Sequence, residues 1–168
     1  MLDICKRKIG EVVVYRRQGM YKIQEIKEQE IGGICKNYYV LRSIYDSNSS
    51  LYVPTDADNL SDLMEDVLSE DDIFEIIDKS KENPMSWIEN TSERAEVFDN
   101  LIKSGDLVDI LKIYRLYAER KLLKNQRLIK NSARDERIFA KAQKIIHEAF
   151  AYSLKIDVSG VSDYISKR

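Results

Sequence analysis

The pattern of apolar residues changes once along this chain, from the spacing of strands to the spacing of helices. Up to about residue 55, β-branched and aromatic residues form short runs bounded by glycine, as in Val12–Tyr15 between Gly10 and Gly19. Beyond about residue 70, apolar residues recur at the period of an amphipathic helix. Strands followed by helices are typical of an α+β fold, so we predict this fold class.

The first half is predicted to be a small β-barrel. Gly32-Gly33 has the composition of a two-residue hairpin turn, and residues 46–49 (DSNS) form a second turn cluster. Pro54 ends the last strand because proline cannot donate to a sheet ladder. Four or five such strands are too few for a sandwich, which favours a Tudor-like or SH3-like barrel over residues 1–55.

The second half is predicted to be entirely helical. The expected helices span about residues 70–80, 83–103, 107–123 and 132–154. The second of these begins at Asn83-Pro84 and carries Trp87, the only tryptophan. Ser104-Gly105-Asp106 is typical of a corner between two helices, with glycine as C-cap and aspartate as N-cap. Ser132 and Asp135 match a capping box that opens the last helix.

Charge is distributed very unevenly along the chain. Residues 56–82 contain eleven acidic and two basic side chains, whereas residues 112–147 contain eleven basic and three acidic ones. A basic stretch indicates either a phosphate-binding surface or a solvated helix face, and both interpretations stay open. The expected segments are a barrel at 1–55, an acidic connector at 56–69, a helical domain at 70–155 and a tail at 156–168.

The sequence contains little that supports catalysis or metal binding. His147 is the only histidine, so neither a histidine-based triad nor a multi-histidine metal site can be assembled. Cys5 and Cys35 are too few for a disulfide framework or a zinc site. Phosphate-binding glycine loops are absent, and Glu70-Asp71-Asp72 lacks the spacing of a calcium loop. We therefore predict no enzyme activity, no metal and no cofactor.

No membrane segment is predicted either. The chain has no apolar run near 18 residues and no leader with an apolar core. We therefore expect a protein of the bacterial cytoplasm that does not associate with membranes.

A series of landmarks occurs in an ordered arrangement along the chain. They are G-x-VVVY from Gly10, I-x-x-I, the Gly32-Gly33 turn, YYVL at Tyr38–Leu41, Val53-Pro54, the lone Trp87 and Ser104-Gly105-Asp106. This order resembles the CarD/CdnL family of bacterial regulators, which bind RNA polymerase and act on promoter opening. The resemblance covers roughly residues 8–154.

The resemblance implies that the barrel binds the β subunit of RNA polymerase through the sheet edge near the second strand. Ile31 matches the apolar position used there, whereas Gln29 and Tyr52 stand where many relatives have arginine. Arg16 and Arg17, in a loop where relatives often have proline and histidine, are predicted to compensate. An open edge can also pair with itself, so we expect a monomer, with a strand-swapped dimer as the alternative.

The resemblance also implies a DNA contact at Trp87. In relatives the matching tryptophan enters the minor groove at the upstream edge of the melted promoter, whereas an isolated tryptophan on an amphipathic helix is by default a core residue. The cations that follow it in relatives are replaced here by residues 88–92 (IENTS). The residues predicted to bind phosphate instead are Arg115, Lys130, Arg134, Arg137 and Lys141, the last three sharing one helix face.

These inferences predict a non-enzymatic transcription regulator. It would bind the RNA polymerase β subunit and modulate open-complex stability through sequence-independent contacts with promoter DNA at the upstream bubble edge, remaining at the nucleoid through polymerase. The alternative is a protein-interaction module with the same barrel and a helical scaffold that does not bind DNA.

Overall fold

The chain folds into two compact units that divide between Val67 and Leu68. A computed structural model describes residues 7–17, 19–125 and 132–168. The first unit contains an antiparallel five-stranded sheet and the second contains helices, which confirms the predicted α+β class.

The sheet of the first unit consists of five antiparallel strands. They are β1 (Val12–Tyr15), β2 (Gly19–Ile31), β3 (Ile34–Ser43), β4 (Ser50–Pro54) and β5 (Met64–Glu65), in the spatial order β4-β3-β2-β1-β5. Gly32 and Gly33 have φ values of 63° and 81°, as a two-residue hairpin turn requires, and Ile31 pairs directly with Ile34. The hairpin turn predicted from the two glycines is therefore confirmed.

The core of the first unit includes part of the acidic segment. A short helix, α1 (Leu60–Leu63), and β5 place Leu60 and Met64 in the core with Val13, Ile23 and Leu41. Burying such side chains stabilises by roughly 1.5–3 kcal/mol each. The expected acidic connector was 56–69, and its residues 56–67 lie within the sheet unit.

The second unit is a cluster of helices. They are α2 (Glu70–Lys81), α3 (Thr91–Ser104), α4 (Leu107–Asn125), α5 (Ala133–Leu154) and α6 (Val161–Ser166), with a 3-10 turn at Val158–Gly160. Phe98, Tyr117 and Phe150 are among its largest fully buried side chains. Val161 and Ile165 of α6 also belong to this core, so most of the expected tail packs against the helices.

Two predicted capping arrangements are present. Gly105 has φ 77° and ends α3, and the Asp106 carboxylate accepts hydrogen bonds from the backbone of Val108. At the start of α5, the Ser132 hydroxyl accepts from the Asp135 N–H, and the Asp135 carboxylate accepts from the Ser132 N–H.

The prediction that a helix begins at Asn83-Pro84 and carries Trp87 is wrong. α3 begins at Thr91, and Trp87 lies before it in a segment without helical structure. Asn90 determines this start, because its side-chain oxygen accepts hydrogen bonds from the N–H groups of Ser92 and Glu93, 3.0 and 3.1 Å away. Asn83 has φ 48°, a left-handed conformation that separates the segment from α2.

Candidate functional sites

Strand β2 extends well beyond β1 and leaves part of the sheet edge open. β1 pairs with the beginning of β2 as far as Lys22, and Ile23 still exchanges backbone hydrogen bonds with Gly10 and Glu11. From residue 25 to residue 31, β2 pairs only with β3 among the described residues. This stretch is the open edge.

The outward-facing backbone groups of the open edge follow from the hydrogen-bond pattern. In an antiparallel pair, successive residues point their backbone groups alternately toward and away from the partner strand. The Asn37 carbonyl accepts from the Thr55 N–H of the neighbouring chain segment at 2.9 Å, so the backbone N–H and C=O of Asn37 point away from β2. The backbone groups of Glu28, which pairs with Asn37, therefore point away from β3. By alternation the backbone groups of Ile26 and Glu30 also point outward, so these three residues can form backbone hydrogen bonds with an added strand.

Two exposed isoleucines lie at the end of the open edge. Ile31 and Ile34 are 50% and 59% exposed and are cross-strand neighbours. Ile34 was not among the predicted site residues, although the Gly32-Gly33 turn alone implies that it lies opposite Ile31.

The predicted residues Gln29, Ile31 and Tyr52 lie on the same face of the sheet. Tyr52 pairs with Val40, and Val40 pairs with Glu25, so the side chains of these three residues lie on one face. Gln29 and Ile31 follow Glu25 by four and six residues on the same strand, and an even spacing keeps side chains on one face. This face is opposite the one that forms the core of the unit. Gln29 and Ile31 are close together, whereas Tyr52, 48% exposed, lies farther along the sheet.

Arg16 and Arg17 lie at the other end of β2. Both have positive φ angles, 49° and 57°, between β1 and β2. Arg16 lies over the Tyr15 ring, 5.4 Å from its centre, and Arg17 Nε is 2.6 Å from Glu65 Oε1. The 13-residue length of β2 separates them from Ile31, roughly 40 Å along an extended strand. The structure therefore does not bring the two arginines to the open edge.

The Trp87 ring is held between two guanidinium groups. It is half-buried against the helical core and contacts Tyr117 edge-to-face, with ring centres 5.3 Å apart. The guanidinium carbons of Arg94 and Arg120 lie over the ring, 4.0 and 3.6 Å from its centre. Two guanidinium groups this close to one centre would overlap on a single face, so they lie on opposite faces. Each such contact is worth about 0.5–2 kcal/mol.

Arg94 attaches the Trp87 segment to the start of α5. Its Nε and Nη2 donate to the two carboxylate oxygens of Asp135 at 2.8 and 2.9 Å, and its Nη1 donates to the backbone carbonyls of Ile88 and Glu89. Arg94 and Asp135 are only 3% and 2% exposed. A buried bidentate pair of this kind is geometrically specific.

The surroundings of Asp135 keep the pair ionised. Burial alone would raise the pKa of Asp135, but hydrogen bonds from Arg94 and Ser132 outweigh it and hold this pKa well below its usual range. Tyr117 donates its hydroxyl to Asp135 at 2.9 Å. Burial raises the pKa of Tyr117, and the bond to Asp135 raises it further, so Tyr117 remains a neutral donor.

A groove of about 530 Å³ lies between α3 and α5. Its basic lining residues are Lys103, Arg134, Arg137 and Lys141. The predicted shared face of Arg134, Arg137 and Lys141 is therefore present, but Glu96 and Asp99 also line the groove, and Lys141 Nζ is 2.8 Å from Asp99 Oδ1. This basic groove can bind phosphate groups, with its charge partly neutralised.

The remaining predicted cations lie elsewhere. Arg115 lines a separate cleft of about 210 Å³ with Lys81 and Lys112, and its Nε and Nη2 are buried without a hydrogen-bond partner in the described part of the chain. Lys130 lies outside the described residues. Arg120 belongs to the basic stretch 112–147, and it follows Tyr117 by three residues on one helix, a spacing that places two side chains on one face.

No feature of the described residues indicates a metal or membrane site. They contain no group of three or more histidine, cysteine or acidic side chains that could hold a metal ion, and no helix among them is long and apolar enough to cross a membrane. His147 is buried, and its ring centre is 5.3 Å from that of Tyr114.

Comparison with known proteins assigns a type to the sheet unit. Residues 8–67 match the family model described as CarD-like/TRCF RID domain, which confirms the resemblance for this part of the chain. Domains of this type are RNA polymerase-interacting and non-catalytic. The helical unit lies outside the matched residues. No curated protein matches the chain significantly.

Proposed function

We propose that the chain is a non-catalytic transcription regulator, whose sheet unit binds the RNA polymerase β subunit and whose helical unit contacts promoter DNA without reading its sequence. The single observation that carries the proposal is the open edge of β2, within a domain of polymerase-interacting type. Its expected place of action is the bacterial nucleoid, reached through polymerase.

Strand addition at the open edge accounts for the polymerase contact. The outward backbone groups of Ile26, Glu28 and Glu30 would supply main-chain hydrogen bonds, and neighbouring side chains would supply selectivity. The exposed Ile31 and Ile34 offer an apolar contact beside this edge. Because Gln29 and Tyr52 are uncharged, the interface would depend on backbone bonds and apolar area, without an arginine–carboxylate pair at these positions.

The basic groove supports contact with the DNA backbone. Neutralising phosphates with the side chains of Arg134, Arg137 and Lys103 releases counterions, so the affinity should fall steeply as salt rises and depend little on sequence. Trp87 would act at the fork of the melted promoter, where an aromatic side chain offsets part of the cost of unstacking. Promoter specificity would then come from polymerase.

The proposal is tested by the binding of the full chain to core RNA polymerase and to the isolated β-subunit lobe. Glu28→Pro removes an outward N–H and places a ring on the edge, while the ladder to β3 stays intact. Glu28→Ala is the matched control, because both variants lose the same carboxylate.

We expect saturable binding by the wild type and by Glu28→Ala, and binding at least about tenfold weaker for Glu28→Pro, since tenfold corresponds to only about 1.4 kcal/mol. Equal affinities for two folded variants would exclude strand addition at this edge. Failure of the wild type to bind polymerase would contradict the proposal as a whole.

A second candidate function is a protein-interaction module that does not bind DNA. The acidic Glu96 and Asp99 in the groove and the coverage of both faces of Trp87 favour it. Polymerase binding without salt-sensitive DNA binding by the same chain would select this alternative.

A further inference from the structure

We propose that the cleft between α2 and α4 binds a small anion with a terminal phosphate group, and that Arg115 and Lys112 are its principal ligands. This phosphate cleft shares no residue with the open edge or with the basic groove. The proposal therefore does not depend on polymerase binding or DNA binding, and it assigns Arg115 to a free ligand and not to the DNA backbone.

The size of the phosphate cleft fits a small anion. Ser80 and Lys81 line it from the last turn of α2, and Lys112, Arg115 and Glu119 line it from α4, where their spacing of three and four residues places them on one helix face. Its volume of about 210 Å³ accommodates a phosphate group. Pockets for drug-sized molecules are larger, roughly 300–1,000 Å³.

Arg115 holds donors in the phosphate cleft that lack acceptors. Its Nε and Nη2 are buried, and neither donates a hydrogen bond within the described part of the chain. A buried N–H without an acceptor is unfavourable, so an oxyanion that accepts from this guanidinium removes a cost that the free chain carries. The residue as a whole is only partly buried, so its long side chain can turn the guanidinium toward the cleft.

The lining of the phosphate cleft is positive, with three cations and one carboxylate, that of Glu119. Lys112 lies one turn before Arg115 on α4, and among the described residues no salt bridge neutralises either of them. Lys81 Nζ is 3.0 Å from Asp78 Oδ1, an exposed pair that contributes little and can rearrange around a ligand. Two cations of the cleft are therefore available to an anion without the loss of another ion pair.

A terminal phosphate fits this lining better than a phosphate of the DNA backbone. A backbone phosphate carries a sugar on each side, which keeps it away from donors that lie below the surface of a small cleft. A terminal phosphate presents three free oxygens and a charge of about −1.5 to −2. Two oxygens can accept from the planar Arg115 guanidinium and the third from the Lys112 ammonium. Pro84, Met85 and Leu116 add an apolar wall for the group that carries the phosphate.

The experiment titrates the isotope-labelled full chain with inorganic phosphate, phenyl phosphate and the diester dimethyl phosphate, at an ionic strength held constant with sodium chloride. Amide chemical shifts in nuclear magnetic resonance spectra give both the affinity and the location of binding. We expect inorganic phosphate and phenyl phosphate to saturate with a Kd of about 1 mM or below and to shift the amides that surround the cleft. Dimethyl phosphate should bind at least about tenfold more weakly.

Substitutions test the two principal ligands. Arg115→Gln should weaken the binding of inorganic phosphate at least about tenfold, because the charged planar donor is lost. Arg137→Gln is the matched control, since it removes an arginine of the basic groove and should leave the affinity unchanged. Lys112→Gln should weaken binding about fivefold and covers the case in which Arg115→Gln disturbs the fold.

The outcomes distinguish this site from a general attraction of anions. Absence of saturable shifts, or shifts confined to the basic groove, would overturn the proposal. Equal losses in Arg115→Gln and Arg137→Gln would show that only the overall positive charge matters, which also overturns it. Equal affinities for inorganic phosphate and dimethyl phosphate would overturn the preference for a terminal phosphate.

A separate titration with a DNA duplex that lacks terminal phosphates tests the assignment of Arg115 to a free ligand. We expect wild type and Arg115→Gln to bind this duplex alike at equal salt, apart from the small effect of one distant charge. A loss of duplex affinity as large as the loss of phosphate affinity would place Arg115 on a DNA-binding surface and contradict the proposal. Failure of the wild type to bind the duplex would contradict only the proposed DNA contact, because phosphate binding is measured without DNA.

Discussion

Arg94 of α3 and Asp135 of α5, 41 residues apart in the sequence, form a buried bidentate ion pair that also determines the position of Trp87. The same guanidinium binds the two carbonyls that follow Trp87 and covers one face of its ring. The segment that carries the tryptophan is therefore positioned by tertiary contacts and not by a helix of its own.

Replacing Arg94 by methionine should destabilise the helical unit by about 3–5 kcal/mol, because Asp135 would remain buried without its partner. Urea denaturation followed by circular dichroism gives the free energy of unfolding, and Trp87 emission should shift to longer wavelength. Lys141→Met, which breaks the exposed pair with Asp99, is the control and should cost less than about 1 kcal/mol. Equal effects of the two substitutions would contradict the assigned role of Arg94.

Stability of the helical unit should fall as the pH drops below about 6.5, because burial lowers the pKa of His147 in the folded chain. Below this pH the imidazole is protonated in the unfolded chain but stays neutral in the folded chain. The free energy of unfolding therefore decreases by up to about 1.4 kcal/mol per pH unit until the folded pKa is reached. Denaturation at pH 7.5 and 5.5 measures the difference.

His147→Phe keeps an aromatic ring beside Tyr114 but cannot titrate, so its pH dependence over this range should be flatter. The Asp135 pair does not interfere, because the pKa of Asp135 is lowered and its contribution is lost only at more acidic pH. An unchanged pH dependence in His147→Phe would assign the effect to other groups.

Ile31→Ala should weaken polymerase binding about tenfold with little effect on stability, because Ile31 is half exposed at the open edge. Ile9→Ala removes a comparably exposed isoleucine that lies before β1 and should leave the affinity unchanged. Titration against the β-subunit lobe measures both. Equal affinities for the two variants would place the contact elsewhere on the sheet unit.

Trp87→Ala should preserve polymerase binding and shorten the open-complex lifetime, by about tenfold if the wedge offsets part of an unstacking cost of a few kcal/mol. Decay of preformed complexes after addition of a competitor measures the lifetime. Since Trp87 packs against Tyr117 and Arg94, Trp87→Phe is the companion variant that retains more of the packing. An unchanged lifetime in a folded variant would rule out the wedge.

Features that depend on neighbouring residues were predictable. The change of apolar period indicated strands and then helices, Gly32-Gly33 implied the hairpin turn, and Ser132 with Asp135 implied the start of α5. The start of α3 was not predicted correctly, because Asn83-Pro84 and Asn90 are competing local signals and the cap at Asn90 prevails.

The sequence by itself determined the order of elements, the turn and the caps, because each depends on φ preferences and hydrogen bonds within a few residues. Only the tertiary structure decided which strand edge remains open, which cations line one groove and which arginine covers Trp87. These features join residues that lie far apart in the chain. Their contacts depend on how strands and helices pack side by side, which no local spacing of residues specifies.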